Sequence, residues 1–215
     1  MSKKSIYSLL IALAIPVLCY LWLKSASESA VAMPGHPFEP DTVLQSVVKG
    51  KIQTDTVWHT TKDIRLVNQM GDSVNLYDQK GKIIILDLFF TSCGSICPKL
   101  TTNMARLQQS FMKGGGDARK KIVDTNIVYF MSLSVDPIRD SVPVLRDYAN
   151  RMDVISDNWW LLTGNRDSIY NFIFQELRLD KFSDEPVSPD FVHTSRFVLI
   201  DKNMHVRGYY KGLDS

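Results

Sequence analysis

Ile83-Ile-Ile-Leu-Asp-Leu-Phe-Phe-Thr-Ser-Cys93-Gly-Ser-Ile-Cys97-Pro98-Lys-Leu100 is the stretch whose reading decides the fold. Ile83 to Phe90 are apolar apart from Asp87 and rich in β-branched and aromatic types, the pattern of a central strand buried on both faces. From Pro98 onward Leu100, Met104, Leu107 and Phe111 recur at helical spacing, so the chain turns from strand to helix at the two cysteines. Pro98 falls in the first helical turn, where its missing N–H costs nothing. The thiols therefore stand at the C-terminal end of a buried strand and the N-terminal end of a helix, where open α/β sheets hold their ligands. Unpaired N–H groups and the positive end of the helix dipole favour thiolate over thiol there. Three residues separate the sulfurs, a spacing that permits either a disulfide or a shared grip on one soft ion. A purely structural bridge is the blander alternative. It is disfavoured because such bridges staple small scaffolds, and this chain is large enough to build a core.

Outward from that stretch the chain alternates. Ile64–Asn68 and Ser73–Tyr77 read as two short strands joined at Gly71-Asp72, and Asp78–Gly81 as a turn feeding the central strand. The first helix is expected from Pro98 to Phe111, stopped by Gly114-Gly-Gly116. A second buried strand, Asn126–Val135, ends at Asp136-Pro137, where the proline keeps Asp136 out of a helix and leaves its carboxylate at a strand end. A helix over Ser141–Met152 follows, then a third strand at Trp159–Thr163. The next helix is capped by Asn165 or Asp167, with Ile169, Phe172, Ile173 and Leu177 inward. An irregular acidic and proline-bearing loop, 179–190, delivers the chain to a β-hairpin that starts near His193 and turns at Asp201-Lys-Asn203. The order βαβαβα then ββ means an α/β domain of thioredoxin-like arrangement: a mixed, parallel-cored central sheet with helices on both faces.

The ends and the composition set the context. The 215 residues carry a net charge of +2, too little to argue for a nucleic-acid partner, and the densest basic run, Arg119-Lys-Lys121, reads as a solvated loop. Lys3-Lys4 precede an apolar stretch from Ile6 to Leu23, long enough as a helix to cross a bilayer. We expect residues 1–24 to be a cytoplasmic stub and uncleaved transmembrane anchor. A cleaved signal with Ala30-Val-Ala32 as its site is the competing reading. The basic start places everything after it on the extracytoplasmic side, the periplasmic face of a cell inner membrane. Residues 25–57, rich in Ser, Ala, Pro and Gly around His36, read as an extended tether, and 58–215 as the folded domain. Cys19 belongs to the apolar segment, leaving Cys93 and Cys97 as the soluble pair.

A soft thiol pair needs a third donor to make a competent metal site, and His193, at the end of the polar loop before a strong strand, is the candidate. Two thiolates with one imidazole suit copper, thiolate selecting Cu(I) and imidazole supporting Cu(II). Zinc comes next, but a structural zinc site wants a fourth protein ligand and none is evident. His59 and His205 read as surface residues, and Met104 and Met131 as core.

From about Trp58 to Gly212 the sequence resembles the Sco/SenC copper-binding proteins. The resemblance is carried by Gly81-Lys82, Thr91-Ser-Cys93-Gly-Ser-Ile-Cys97-Pro98, Ser134-Val-Asp136-Pro-Ile-Arg-Asp140, Leu162-Thr-Gly164 and His193-Thr194. It implies a thioredoxin-like fold on a single membrane anchor, copper held by Cys93, Cys97 and His193, and Asp136 close behind them. It also implies a partner, subunit II of cytochrome c oxidase, whose dinuclear copper site the family helps to metallate or reduce. Two departures accompany it. Val192 stands before the histidine where relatives commonly carry an acid, with Asp190 the nearest carboxylate. The chain also ends at Gly212-Leu-Asp-Ser215 where relatives continue into a final helix, so a missing C-terminal helix is expected.

The leading expectation is a membrane-tethered copper metallochaperone. Its rival is a thiol-disulfide oxidoreductase that reduces the cysteines of an exported copper protein, with Cys93 attacking and Cys97 resolving. A thiol peroxidase would not require the histidine and fits less well.

Overall fold

The computed structural model describes residues 5, 13–22, 40–48, 51–114, 121–123, 127–179 and 194–213. The expected anchor lies largely outside them. Residues 13–22 are helical and exposed, and no helix among the described residues is long and apolar enough to cross a membrane. His36 and most of loop 179–190 also lie outside the described residues.

The described strands are β1 (Pro40–Val48), β2 (Lys51–Trp58), β3 (Arg65–Asn68), β4 (Ser73–Asn75), β5 (Ile83–Phe89), β6 (Met112–Gly114), β7 (Lys121–Val123), β8 (Val128–Ser134), β9 (Trp159–Thr163), β10 (Arg196–Ile200) and β11 (Val206–Lys211). β1 pairs with β2 and β6 with β7, and the centre is a seven-stranded mixed sheet in the order β11-β10-β5-β8-β9-β3-β4. Its parallel core is β5 (Ile83–Phe89), β8 (Val128–Ser134) and β9 (Trp159–Thr163), joined by helices α1 (Cys97–Ser110) and α2 (Val142–Arg151). Both crossovers step the same way across the sheet, so right-handed connection puts α1 and α2 on one face. Helix α3 (Arg166–Asn171), continued by a π-helical turn over Phe172–Glu176, returns the chain across the sheet to β10 (Arg196–Ile200). That strand runs antiparallel to β5 and pairs outward with β11 (Val206–Lys211). At the far edge β3 (Arg65–Asn68) and β4 (Ser73–Asn75) form the small hairpin whose turn contains Gly71 at φ +95, a conformation glycine adopts without strain.

The sheet forms because its strands have apolar side chains for both faces. All seven residues of β8 are buried, as are six of the seven in β5. Phe130 and Trp159 sit at the centre with no exposed surface, their rings 6.2 Å apart, and Trp159 Nε1 donates to Ser132 Oγ (2.9 Å). Burying each such ring contributes roughly 1.5–3 kcal/mol. Helix α1 turns Leu100 and Met104 into this core, and α2 turns in Leu145 and Tyr148. At the other end of the sheet Gly212 N–H donates to Ser195 O (2.7 Å) and Asn103 Nδ2 donates to Gly212 O (2.6 Å), tying β11 to α1.

Two expectations need correction. Residues 40–57 are not an extended tether: β1 (Pro40–Val48) and β2 (Lys51–Trp58) pair antiparallel, Val48 opposite Lys51. Their apolar side chains Val43, Leu44, Val47, Ile52 and Val57 are exposed, so cross-strand pairing rather than core burial defines the hairpin. His59 is not a surface residue either. Its Nε2 donates to Glu176 O (3.0 Å), while Nδ1 lies 2.9 Å from Asp41 Oδ1 and 3.0 Å from Arg178 Nη2. Arg178 also pairs with Asp41. Burial works against the Asp41 carboxylate, but Arg178 and His59 outweigh it and hold its pKa below the usual value. This knot fastens the hairpin to the chain just ahead of the loop that leads to His193.

Candidate metal centre

β5 ends at Phe89, and the turn that follows is fixed from both sides. Val135 N–H donates to Phe89 O (2.9 Å), and Cys93 N–H donates to Phe90 O (3.2 Å). Cys97 is the first residue of α1, with Pro98 in the first turn as expected. Its N–H, free of an intrahelical partner, donates to Cys93 Sγ at 3.4 Å. The helix start thus delivers a donor to the sulfur that precedes it, and both thiols are free rather than bridged.

The two sulfurs are chemically unequal. Burial disfavours the Cys93 thiolate, but hydrogen bonds from the Cys97 thiol and from the backbone of Ser95, Cys97 and Ile96 overcome it, lowering the pKa to about 7. Burial pushes Cys97 up to about 12, reinforced by its proton being engaged with Cys93 and by the nearby charges of Cys93 and Asp87. Near neutral pH Cys93 is therefore the ready nucleophile and the first soft ligand, with Cys97 the thiol that yields its proton second.

Behind the turn lies a carboxylate that the strand pattern gave no reason to single out. Asp140, wholly buried, accepts from Thr91 Oγ1 (2.5 Å), Ser134 Oγ (2.5 Å) and Thr91 N–H (3.2 Å). It joins the residues just before Cys93 to the end of β8, and its own N–H donates to Asp136 O (2.9 Å). The only sequence signal was its place at the end of the Ser134–Asp140 motif. Asp136, at that strand end as expected, points its carboxylate to Arg139 (3.5 Å), while its N–H donates to Ser134 Oγ (3.1 Å). Asp87 is also wholly buried.

His193 lies outside the described residues. Thr194, next to it, is buried, and its Oγ1 accepts from Arg196 N–H (3.2 Å) at the start of β10. Because β10 runs antiparallel to β5, with Val198 opposite Leu86, its start lies at the end of the sheet where β5 delivers Cys93. The parallel pairing of Phe89 with Ser134 brings the Asp136–Asp140 turn to the same end. Among the described residues no group of three or more His, Cys, Asp or Glu is placed to hold a metal ion.

A model of the family described as SCO1/SenC matches residues 53–215. The chain belongs to the SCO1/SenC family. A curated Bacillus subtilis relative, the SCO1 protein homolog, is 32% identical over 153 residues, covering 69% of this chain and 72% of its own. The solved structure of BsSco, described as a member of the Sco family of cytochrome c oxidase assembly proteins with a disulfide switch, is 29% identical. It superimposes with a TM-score of 0.57 over 75% of this chain and 88% of its own. Bradyrhizobium japonicum ScoI, solved with copper bound, shares the fold at 20% identity, TM-score 0.53, over 73% of this chain and 92% of its own. The chain's α/β architecture, a mixed sheet with helices, matches that of the Sco structures, so the thioredoxin-like expectation holds for the folded part of the chain.

Proposed function

We propose that this chain is a membrane-tethered copper metallochaperone. It takes one copper as cargo through Cys93, Cys97 and His193 and supports assembly of the dinuclear copper site of cytochrome c oxidase subunit II. The observation that carries the reading is the cysteine turn itself, where a thiolate-prone sulfur and a second sulfur one helical turn away share a helix N-terminus in a SCO1/SenC chain. The donor set fits copper: two soft thiolates prefer Cu(I), and an imidazole would extend the site to Cu(II). Copper in ScoI and the oxidase-assembly role of the family of BsSco support the same reading. The site sits on the periplasmic side of the inner membrane, anchored by residues 1–24, with Asp136 helping to orient the histidine-bearing side.

Anaerobic Cu(I) titration of the reduced full chain, followed by mixing with the apo copper domain of subunit II, tests this. One equivalent should bind, and His193→Ala should abolish the stable Cu(II) form with its thiolate-to-copper absorption while leaving thiol-disulfide exchange intact. Unchanged copper affinity in His193→Ala rejects the ligand assignment.

A second reading, a thiol-disulfide oxidoreductase acting on an exported copper protein, is favoured by one observation: the division of the pair into a sulfur near 7 and a sulfur near 12 suits attacker and resolver. Fast exchange with a partner disulfide alongside weak copper binding decides for it.

A further inference from the structure

The β1–β2 hairpin is the part of the domain that the central sheet does not use. Its two strands pair with each other and with no other described strand. Two strands alone are marginally stable in water and need a packed face to persist. Here the apolar side chains point outward instead: Val43, Leu44, Val47, Ile52 and Val57 are all exposed. Apolar groups exposed together in this way mark an interaction surface.

Alternation sorts the hairpin into two faces. Val43, Gln45 and Val47 of β1 share one face with Ile52, Thr54 and Thr56 of β2, and that face carries no charge. Its exposure rises toward the turn, from 51% at Val43 to 74% at Val47 and 71% at Ile52, two residues that stand directly opposite each other. On the other face Lys51 lies beside the turn, with Asp55 nearer the base. Between Thr42 and Thr54 the sequence has no acid, and its charges are Lys49 and Lys51. The base is held to the domain by Asp41, which pairs with Arg178 and lies 2.9 Å from His59 Nδ1. The arm is thus fastened at its polar end and apolar and basic at its free end.

That distribution separates the surfaces that could cover it. A protein partner or a second copy packs an apolar patch ringed by polar residues, so its most exposed apolar groups belong in the middle of a face. In the hairpin they stand at the tip. An apolar, acid-free tip with lysine beside it matches the boundary of an anionic bilayer, where apolar side chains enter the acyl edge and ammonium groups meet phosphates. Chain length agrees. Residues 24–39 separate the apolar segment ending at Leu23 from Pro40, and a segment of that length extends no more than about 55 Å. A tip tethered so closely meets the bilayer at high effective concentration, so a weak individual contact is enough.

We propose that the β1–β2 tip, through Val47, Ile52 and Lys51, docks on the surface of an anionic bilayer. The inference rests on the membrane-tethered reading given above and is independent of copper. Docking gives the folded domain a second point of contact with the membrane and limits its rotation about the segment that tethers it.

The test places a nitroxide at the tip of the full chain in bilayer nanodiscs, in a Cys19→Ser, Cys93→Ser, Cys97→Ser background that leaves no other thiol. Gln53→Cys reports the tip, and Asn150→Cys, exposed on α2, is the control. In discs of phosphatidylcholine with about one-third phosphatidylglycerol, the ratio of oxygen to nickel-chelate collisions at 53 should exceed that at 150 by about fivefold or more. Val47→Asp combined with Ile52→Asp should bring the ratio at 53 down to that at 150. Lys51→Glu should lower it about threefold with phosphatidylglycerol present and leave it unchanged in phosphatidylcholine alone. A label at 53 as aqueous as the label at 150 overturns the proposal, and so does a double aspartate variant that reads like the unmutated tip. A tip that is aqueous in discs holding one chain and shielded only in discs holding two belongs to a second copy, which also overturns it. A chain that does not enter the discs removes the membrane tether together with the proposal, whereas an incorporated chain with an aqueous tip removes the proposal alone.

Discussion

Two carboxylates vanish from solvent in this domain, one inside a central strand and one in the turn that follows β8, and they are treated in opposite ways. Asp140 receives two hydroxyls and a backbone N–H, and in doing so clamps the residues before Cys93 to the end of β8. Asp87, in the middle of the cysteine strand, receives none. The difference separates structure from chemistry. A saturated buried carboxylate fixes geometry and has little left to offer a reaction, whereas an unsaturated one remains available for a proton.

The contrast is sharpest if each is removed. Asp140→Ala leaves the Thr91 and Ser134 hydroxyls and the Thr91 N–H buried without an acceptor, and it should destabilise the fold by about 3 kcal/mol, read from denaturant midpoints. A loss below about 1 kcal/mol would mean that the clamp is not what holds the cysteine turn. Asp87→Asn should act in the other direction and depend on pH. The folded Asp87 carboxyl, at about 7, keeps a proton that the unfolded chain gives up near 3.8. Stability from this group is therefore fully present below about pH 4 and lost as pH rises to 7. The Asn variant escapes that loss, gaining on the order of 4 kcal/mol on the unmutated chain at pH 8 and well under 1 kcal/mol at pH 4. A stability difference that does not vary with pH breaks the comparison. The smallest effect belongs to Thr91→Val, which takes one donor from Asp140 and leaves the other two. It should cost about 1 kcal/mol and raise Cys93 alkylation by less than twofold at pH 7.

Most of the sheet could be read from the chain because its signals are local. The apolar run of β5, the helical spacing after Pro98, the Asp136-Pro137 stop and the Asn165 cap each act within a few residues. The observed elements begin and end within two residues of the expected ones along this part. The β1–β2 hairpin was missed because its strands bury little, so no inside-outside alternation marks them against a Ser- and Pro-rich background. His59 was misread because its partners, Asp41 and Glu176, are 18 and 117 residues away and only the fold brings them together. Of the site, Cys93 and Cys97 were legible from spacing, and Asp140 was visible only as the last letter of a motif. Asp87 looked like an interruption in an apolar run, since periodicity reports burial and is silent about pairing. His193 and the residues before it fall outside the described part of the chain.

The order of strands has a consequence for how the protein is made. β10, the neighbour that closes β5 on one side, is the second-last element to be synthesised, whereas β5 and both thiols emerge less than halfway along. At roughly 5–20 residues per second, the nascent cysteine turn waits on the order of ten seconds for the strand that completes its shelter. During that interval both sulfurs are open to whatever oxidant the compartment contains, so the redox history of the pair begins before the domain is finished.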